Sequence, residues 1–293
     1  MKVTAKLSIC LLVPAAVHAA AGARSVPSEV RSVNATASCK SFVVPGVAGG
    51  FTNRVFTDFS GVKAGDSASS FLSAHGFSIS NYGISDSPVP HTFVPGNVLL
   101  GNGVLQLKVS AYSGSGAIKS AEVASNTEFK YGSVRTILKS SSTPGVVEGN
   151  FFYGKLISND NQEIDWEILT STIDTSSSCV PAGIWATNQA LVPGQPSTHA
   201  TVEPSFDPRT DFHEYRIDWT PDATTFFLDG KQVAKLTTNV PTVSGPWIWN
   251  AWSNGDVCWS NGPPKADSIT QIKSIEMYTG YSASLSSANV CQI

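Results

Sequence analysis

The chain reads as an all-β protein, a two-sheet antiparallel sandwich or jelly roll. Three observations support this. Short alternating apolar runs recur between turns rich in Gly, Ser, Thr and Pro, and few segments keep a 3.6-residue period. One tight hairpin is written into the chain by an Asp-Gly pair. No linker or internal repeat divides it, and one long domain of many short strands suits a sandwich.

The elements follow in order. Lys2 and Lys6 precede an apolar run from Leu7 to Val17 and then Ala19, Ala20 and Ala21. That charged, apolar, small-residue order is the pattern of a secretory signal peptide, expected over residues 1–20 with cleavage between Ala19 and Ala23. A single β-sandwich domain is then expected over residues 21–293, about 270 residues. Residues 25–40 read as irregular, and Asn34-Ala35-Thr36 is a glycosylation sequon. Val104 to Val109 alternates, with Leu105, Leu107 and Val109 on one face. Val134 to Leu138, Glu163 to Leu169, Tyr215 to Trp219 and Ile272 to Tyr278 also read as strands. Phe226-Phe227-Leu228 and Lys231-Gln232-Val233 flank Asp229-Gly230, whose positive φ angles suit a primed turn.

Composition narrows the function. The formal charge of −3 falls to about −5 without the two leader lysines, and no Lys/Arg run exists, so nucleic acid is an unsuitable partner. A neutral, hydroxyl-rich ligand fits better. The leader is too short for a membrane anchor, no other stretch approaches 18 apolar residues, and a secreted monomer, extracellular or in the cell wall, is expected. Removing the leader removes Cys10 and leaves Cys39, Cys179, Cys258 and Cys291, which allow three disulfide pairings. Cys39–Cys291 with Cys179–Cys258 is preferred, because the first ties the termini together and the second braces loops. Their spacings do not suit zinc, and no metal or cofactor is expected.

Only 14% of the residues are charged, yet Glu163, Asp165 and Glu167 put three acids at alternate positions of one strand. They share a face, opposite Ile164, Trp166 and Ile168. Such a row can be a solvated acidic surface, a calcium site, or the carboxyl pair of a glycoside-cleaving enzyme. Reach favours chemistry. The α-carbons of Glu163 and Glu167 stand about 13 Å apart along a strand, while a retaining mechanism needs carboxyl groups about 5–5.5 Å apart. Two long Glu side chains on a twisted sheet can close that gap, and Asp165 between them can set their pKa values apart.

Trp247, Trp249, Trp252 and Trp259 crowd into a short run, where they either fill the core or stack on sugar rings. Asn250 and Trp252 are assigned to one face, Trp247 and Trp249 to opposite faces, with about two of the four indoles facing ligand. Tyr153, Asn250, Trp252, Trp259 and His213 are the candidate substrate contacts, although a lone His beside Tyr215, Ile217 and Trp219 also suits packing. No Gly-x-Ser-x-Gly elbow supports a serine hydrolase.

Three stretches together resemble glycoside hydrolase family 16, the laminarinase, lichenase and cell-wall transglycosylase group, in its secreted fungal members. They are Tyr131–Thr136; Gly145 through Phe151-Phe152-Tyr153 to Glu163-Ile164-Asp165-Trp166-Glu167; and Phe212–Trp219 through Asp229-Gly230 to Asn250-Ala251-Trp252-Ser253-Asn254-Gly255. The resemblance implies a concanavalin-like β-jelly roll whose concave face binds glycan. It implies Glu163 as nucleophile, Asp165 as assisting acid, Glu167 as general acid/base, and Asn250 and Trp252 in the cleft lining. An endo-β-glucanase on 1,3- or mixed 1,3/1,4-linked glucan is expected. A transglycosylase moving β-glucan or chitin chains is the second reading, and an inactive lectin the third. Two departures stand out: the active strand lacks the extra residue of laminarinase-type members, and Trp166 replaces a smaller aliphatic residue and should point inward.

Overall fold

In the computed structural model, the structure describes residues 39–154, 162–285 and 289–293. The expected leader and the Asn34 sequon lie outside these residues.

Two sheets form a β-sandwich. Among the described residues the cleft-bearing sheet has nine strands and runs, in spatial order, Thr198–Val202, Ile184–Asn188, Gln162–Leu169, Val147–Gly154, Trp247–Trp252, Ile118–Ser125, His91–Phe93 and Gly83–Ile84, with Phe77–Ile79 also on Ile118–Ser125. The back sheet has ten strands among the described residues; Lys231–Leu236, Thr224–Leu228, His213–Trp219, Gly132–Lys139 and Ser268–Ser282 lie side by side in it. Each of the five expected strands is present. The Asp229-Gly230 turn takes φ of 47° and 74°, the left-handed pair that a primed turn requires. Among the described residues, pairing is antiparallel except between Ser41–Val43 and Val290–Gln292, and between His91–Phe93 and Ile118–Ser125. A short helix, Ala68–Ala74, is capped by Ser67, whose hydroxyl accepts from the Ser70 N–H.

Alternation sorts the side chains. Ile164, Trp166, Ile168, Phe152, Trp247, Trp249 and Ala251 point from the cleft sheet into the core, meeting Val134, Tyr215, Ile217, Trp219 and Phe226 from the back sheet. Trp166 points inward as expected. Its ring sits 5.1 Å from Phe226, and its indole N–H donates to the Arg216 carbonyl. Trp247 and Trp249 correct the expectation of opposite faces, since residues two apart on a strand share a face. Both are fully buried, and their indole N–H groups donate to Asn150 Oδ1 at 2.7 Å and Thr136 Oγ1 at 2.8 Å. Packed aromatics with satisfied N–H groups are core residues.

The disulfides are Cys39–Cys291 and Cys179–Cys258, the preferred pairing. The second joins two loops over a satellite cluster of Val147, Leu169 and Val180, against which Trp185, Trp252 and Trp259 pack.

Candidate active site

Because the inward face of the cleft sheet is apolar, its other face carries every alternate residue of the same strands. Glu163, Asp165 and Glu167 lie there on the strand Gln162–Leu169. Across one ladder they oppose Tyr153, Phe151 and Gly149. The next strand continues two of these rows, with Ile248 beyond Phe151 and Asn250 beyond Gly149. Glu122 follows Asn250 on the strand after that. A cleft of about 410 Å³ runs along these strands, lined by Tyr153, Glu163, Asn250, Trp252, Glu122 and Tyr82 among others.

The acids are half-buried (Glu163, Glu167) or buried (Asp165). Burial pushes all three carboxyl groups up. Asp165 goes furthest, held well above the usual carboxylate range by burial and by the charges of Glu163 and Glu167. The hydrogen bond between Asp165 and Glu163 favours the protonated form of Asp165 and opposes the upward shift of Glu163. The Gln189 side-chain amide donates to Asp165 Oδ2 at 2.8 Å and fixes its orientation. Glu167 is pushed up to about 7, by burial first and by the charge of Glu163 second, while a hydrogen bond from Trp259 opposes the shift. One strand thus holds three carboxyl groups on one face, with Asp165 hydrogen-bonded to Glu163 and Glu167 pushed up to about 7. Among the described residues, no group of three or more His, Cys, Asp or Glu side chains is arranged to hold a metal ion.

The structure brings Tyr153, Asn250, Trp252 and Trp259 to this face, the first three lining the cleft and the last bonded to Glu167. His213 it does not. That residue stands at the start of a back-sheet strand, stacked on Phe206 at 3.5 Å with Nδ1 2.7 Å from the Asp229 carboxylate. The sequence correctly aligned it with an aromatic stripe, but the stripe belongs to the other sheet.

Several cleft residues carried no sequence signal. Glu122, buried on an otherwise unremarked strand, accepts from the Ser80 hydroxyl at 2.6 Å, the Tyr82 hydroxyl at 2.8 Å and the Asn250 amide at 3.3 Å. His91 stacks on Trp252 with centroids 5.2 Å apart, and its Nδ1 is 2.7 Å from Asp86. Gly149 is a spacer between Glu167 and Asn250, where a Cβ would come within 2.5 Å of Asn250 Oδ1. Gly149→Ala is therefore expected to displace Asn250 and lower kcat/KM by about tenfold. A glucan titration alongside a thermal melt checks this, and unchanged kinetics would refute the spacer role.

Comparison with known proteins agrees with this geometry. The profile of Glycosyl hydrolases family 16 matches residues 87–256, a span containing all three acids and Asn250 and Trp252. A β-glucanase of Acetivibrio thermocellus is 34% identical over 160 residues, covering 54% of this chain and 45% of that protein. Crh-like protein 5 of Aspergillus fumigatus is 33% identical over 140 residues, covering 44% of this chain and 31% of that one. The chain thus spans less than half the length of these curated relatives. Among solved structures, the Bacillus licheniformis β-glucanase superposes with a TM-score of 0.60 at 18% identity, covering 78% of this chain and 98% of that one. The Crh5 transglycosylase does so with a TM-score of 0.53 at 20% identity, covering 83% and 89%. At such identities the superpositions show a shared jelly-roll fold. The profile match extends over more than half of the sequence, and the chain belongs to glycoside hydrolase family 16.

Proposed function

We propose that the chain is a retaining, endo-acting glycoside hydrolase that cleaves β-1,3- or mixed β-1,3/1,4-glucan outside the cell. The observation that carries this reading is the row of Glu163, Asp165 and Glu167 along one strand at the edge of an open cleft, with Glu167 pushed up to about 7. Glu163, ionised with help from the Asp165 hydrogen bond, attacks the anomeric carbon. Glu167 gives its proton to the departing glycosidic oxygen, leaving a glycosyl ester on Glu163. The Glu167 carboxylate then takes a proton from water, the water oxygen bonds to the anomeric carbon, and the ester breaks. An open cleft rather than a closed pocket suits a chain cut internally. Two disulfides suit an oxidising compartment, and no helix among the described residues is long and apolar enough to cross a membrane. The β-glucanase relatives favour a glucan substrate.

A second reading, transfer of the glycosyl group to another glucan or chitin chain, is favoured by the Crh-like relatives and by a solved Crh5 transglycosylase bound to NAG. The same carboxyl groups serve both reactions. Incubation with laminarin, lichenan and chitooligosaccharides, with products sized and their anomeric configuration followed by NMR, tests both. Retained configuration with shorter products is expected for hydrolysis, and products longer than the donor for transfer. Inverted configuration, or no cleavage of any glucan, overturns the proposal.

A further inference from the structure

The cleft of about 410 Å³ lies to one side of the three acids. On the other side, the neighbouring strand Ile184–Asn188 places Trp185 directly opposite Glu167 and Thr187 opposite Asp165. The strand after that sets Thr201 opposite Trp185 and His199 opposite Thr187. The alternate residues Ile184, Ala186 and Val202 are buried in the core, so Trp185, Thr187, His199 and Thr201 face away from it. His199 is exposed and Trp185 half-buried. The Trp185 ring stands 5.0 Å from His199 and 5.0 Å from Trp259, the residue bonded to Glu167. Its Nε1 is itself buried and has no hydrogen-bond partner among the described residues.

Trp252, Trp259 and Trp185 all rest on the satellite cluster of Val147, Leu169 and Val180, beneath the Cys179–Cys258 bridge. They make one aromatic wall along the row of acids, with Trp252 on the cleft side and Trp185 beyond Glu167. The strip around Trp185 carries no Lys or Arg, so its chemistry suits an uncharged sugar stacked on an indole face, with Thr hydroxyls and an imidazole to meet hydroxyl groups.

We propose that Trp185, with His199 and Trp259, forms an acceptor platform that seats a second neutral glycan chain beside Glu167 and so sets the ratio of glycosyl transfer to hydrolysis. This rests on the glycoside-cleaving reading above. In the transfer step, a hydroxyl oxygen of the seated chain bonds to the anomeric carbon as the ester bond to Glu163 breaks. Its proton passes to Glu167, and Glu163 leaves as carboxylate. No further reactant is needed.

The experiment uses the whole protein, a laminari-oligosaccharide donor, and fluorescent laminari- or chito-oligosaccharides titrated as acceptors. Labelled products longer than the acceptor are quantified. Trp185→Ala is expected to raise the acceptor concentration for half-maximal transfer by about tenfold. Trp185→Phe should stay within about threefold of the parent, because it keeps a stacking face. His199→Ala, at an exposed position, should raise it by about threefold and carries the test if Trp185→Ala melts below the assay temperature. Parent-like half-saturation in both alanine variants overturns the proposal, as does an equal rise in donor KM. Donor hydrolysis by the parent with no labelled product at any acceptor concentration also overturns it, yet leaves the hydrolase reading standing. No donor cleavage by the parent sinks both.

Discussion

Replacing Glu163 by Gln is expected to abolish glucan turnover, lowering kcat by at least about a thousandfold, while the protein melts no earlier than its parent. The amide cannot form a glycosyl ester, so the loss concerns kcat and not substrate binding. Stability should hold or rise. Burial and mutual repulsion already push the three carboxyl groups up, and neutral Gln removes a charge that the fold does not favour. Glu167→Gln should lose about 10²- to 10⁴-fold on glucan. It should lose much less of the first step on an activated aryl glycoside, whose leaving group needs no proton. The difference between the two donors separates a general acid from a nucleophile, because Glu163→Gln should fail on both. In the parent, kcat/KM should fall as pH rises through about 7, where Glu167 gives up its proton. It should also fall in acid as Glu163 becomes protonated. Near-parent turnover by Glu163→Gln on either donor would remove it from the mechanism.

That Glu163, Asp165 and Glu167 share a face was legible in the sequence, because strand alternation has a fixed period of two and the acids were spaced by it. The same period exposed the strands of both sheets, and positive φ at Asp229 and Gly230 explains why two letters sufficed for the hairpin. What surrounds the acids was less legible. Glu122, Tyr82, His91 and Trp185 reach the cleft face through cross-strand register, which depends on which strands become neighbours. Local patterning does not say that residue 185 opposes residue 167, or that residue 122 lies one strand beyond residue 250. His213 illustrates the same gap, since its strand was evident but its sheet was not. The pairing of Trp247 with Trp249 was a misapplied period rather than missing information.

The core beneath the site holds a further acid whose expected effect on stability is large. Glu148 lies on the same strand as Tyr153 but points inward, opposite Ile168 and Ala251, and is buried. Its Oε1 accepts from the Ser141 N–H at 2.8 Å and the Thr270 hydroxyl at 2.7 Å, whereas Oε2 has no partner among the described residues. Burial outweighs these hydrogen bonds and pushes the group up to about 7 from 4.5. The folded protein therefore holds this proton more tightly than the unfolded chain does. Below about pH 4.5 both states are protonated and the contribution to stability is complete. As pH rises towards 7 the unfolded chain releases its proton first, and folding stability drains by about 1.4 kcal/mol per pH unit, or about 3 kcal/mol in all. For a domain of this size that is a fall of roughly 6–12 °C in Tm between mildly acid and mildly alkaline buffer. Glu148→Gln keeps the oxygen that accepts from Ser141 and Thr270 but cannot ionise, so its melting temperature should lose that share of the pH dependence. The variant should then outlast the parent above about pH 7. Melting curves for parent and variant across this range decide the point, and parallel pH slopes would show that Glu148 stays protonated or solvated throughout. Asp165 and Glu167 shift in the same direction, so these buried acids add to the Glu148 effect, and they favour the side on which the proposed general acid keeps its proton.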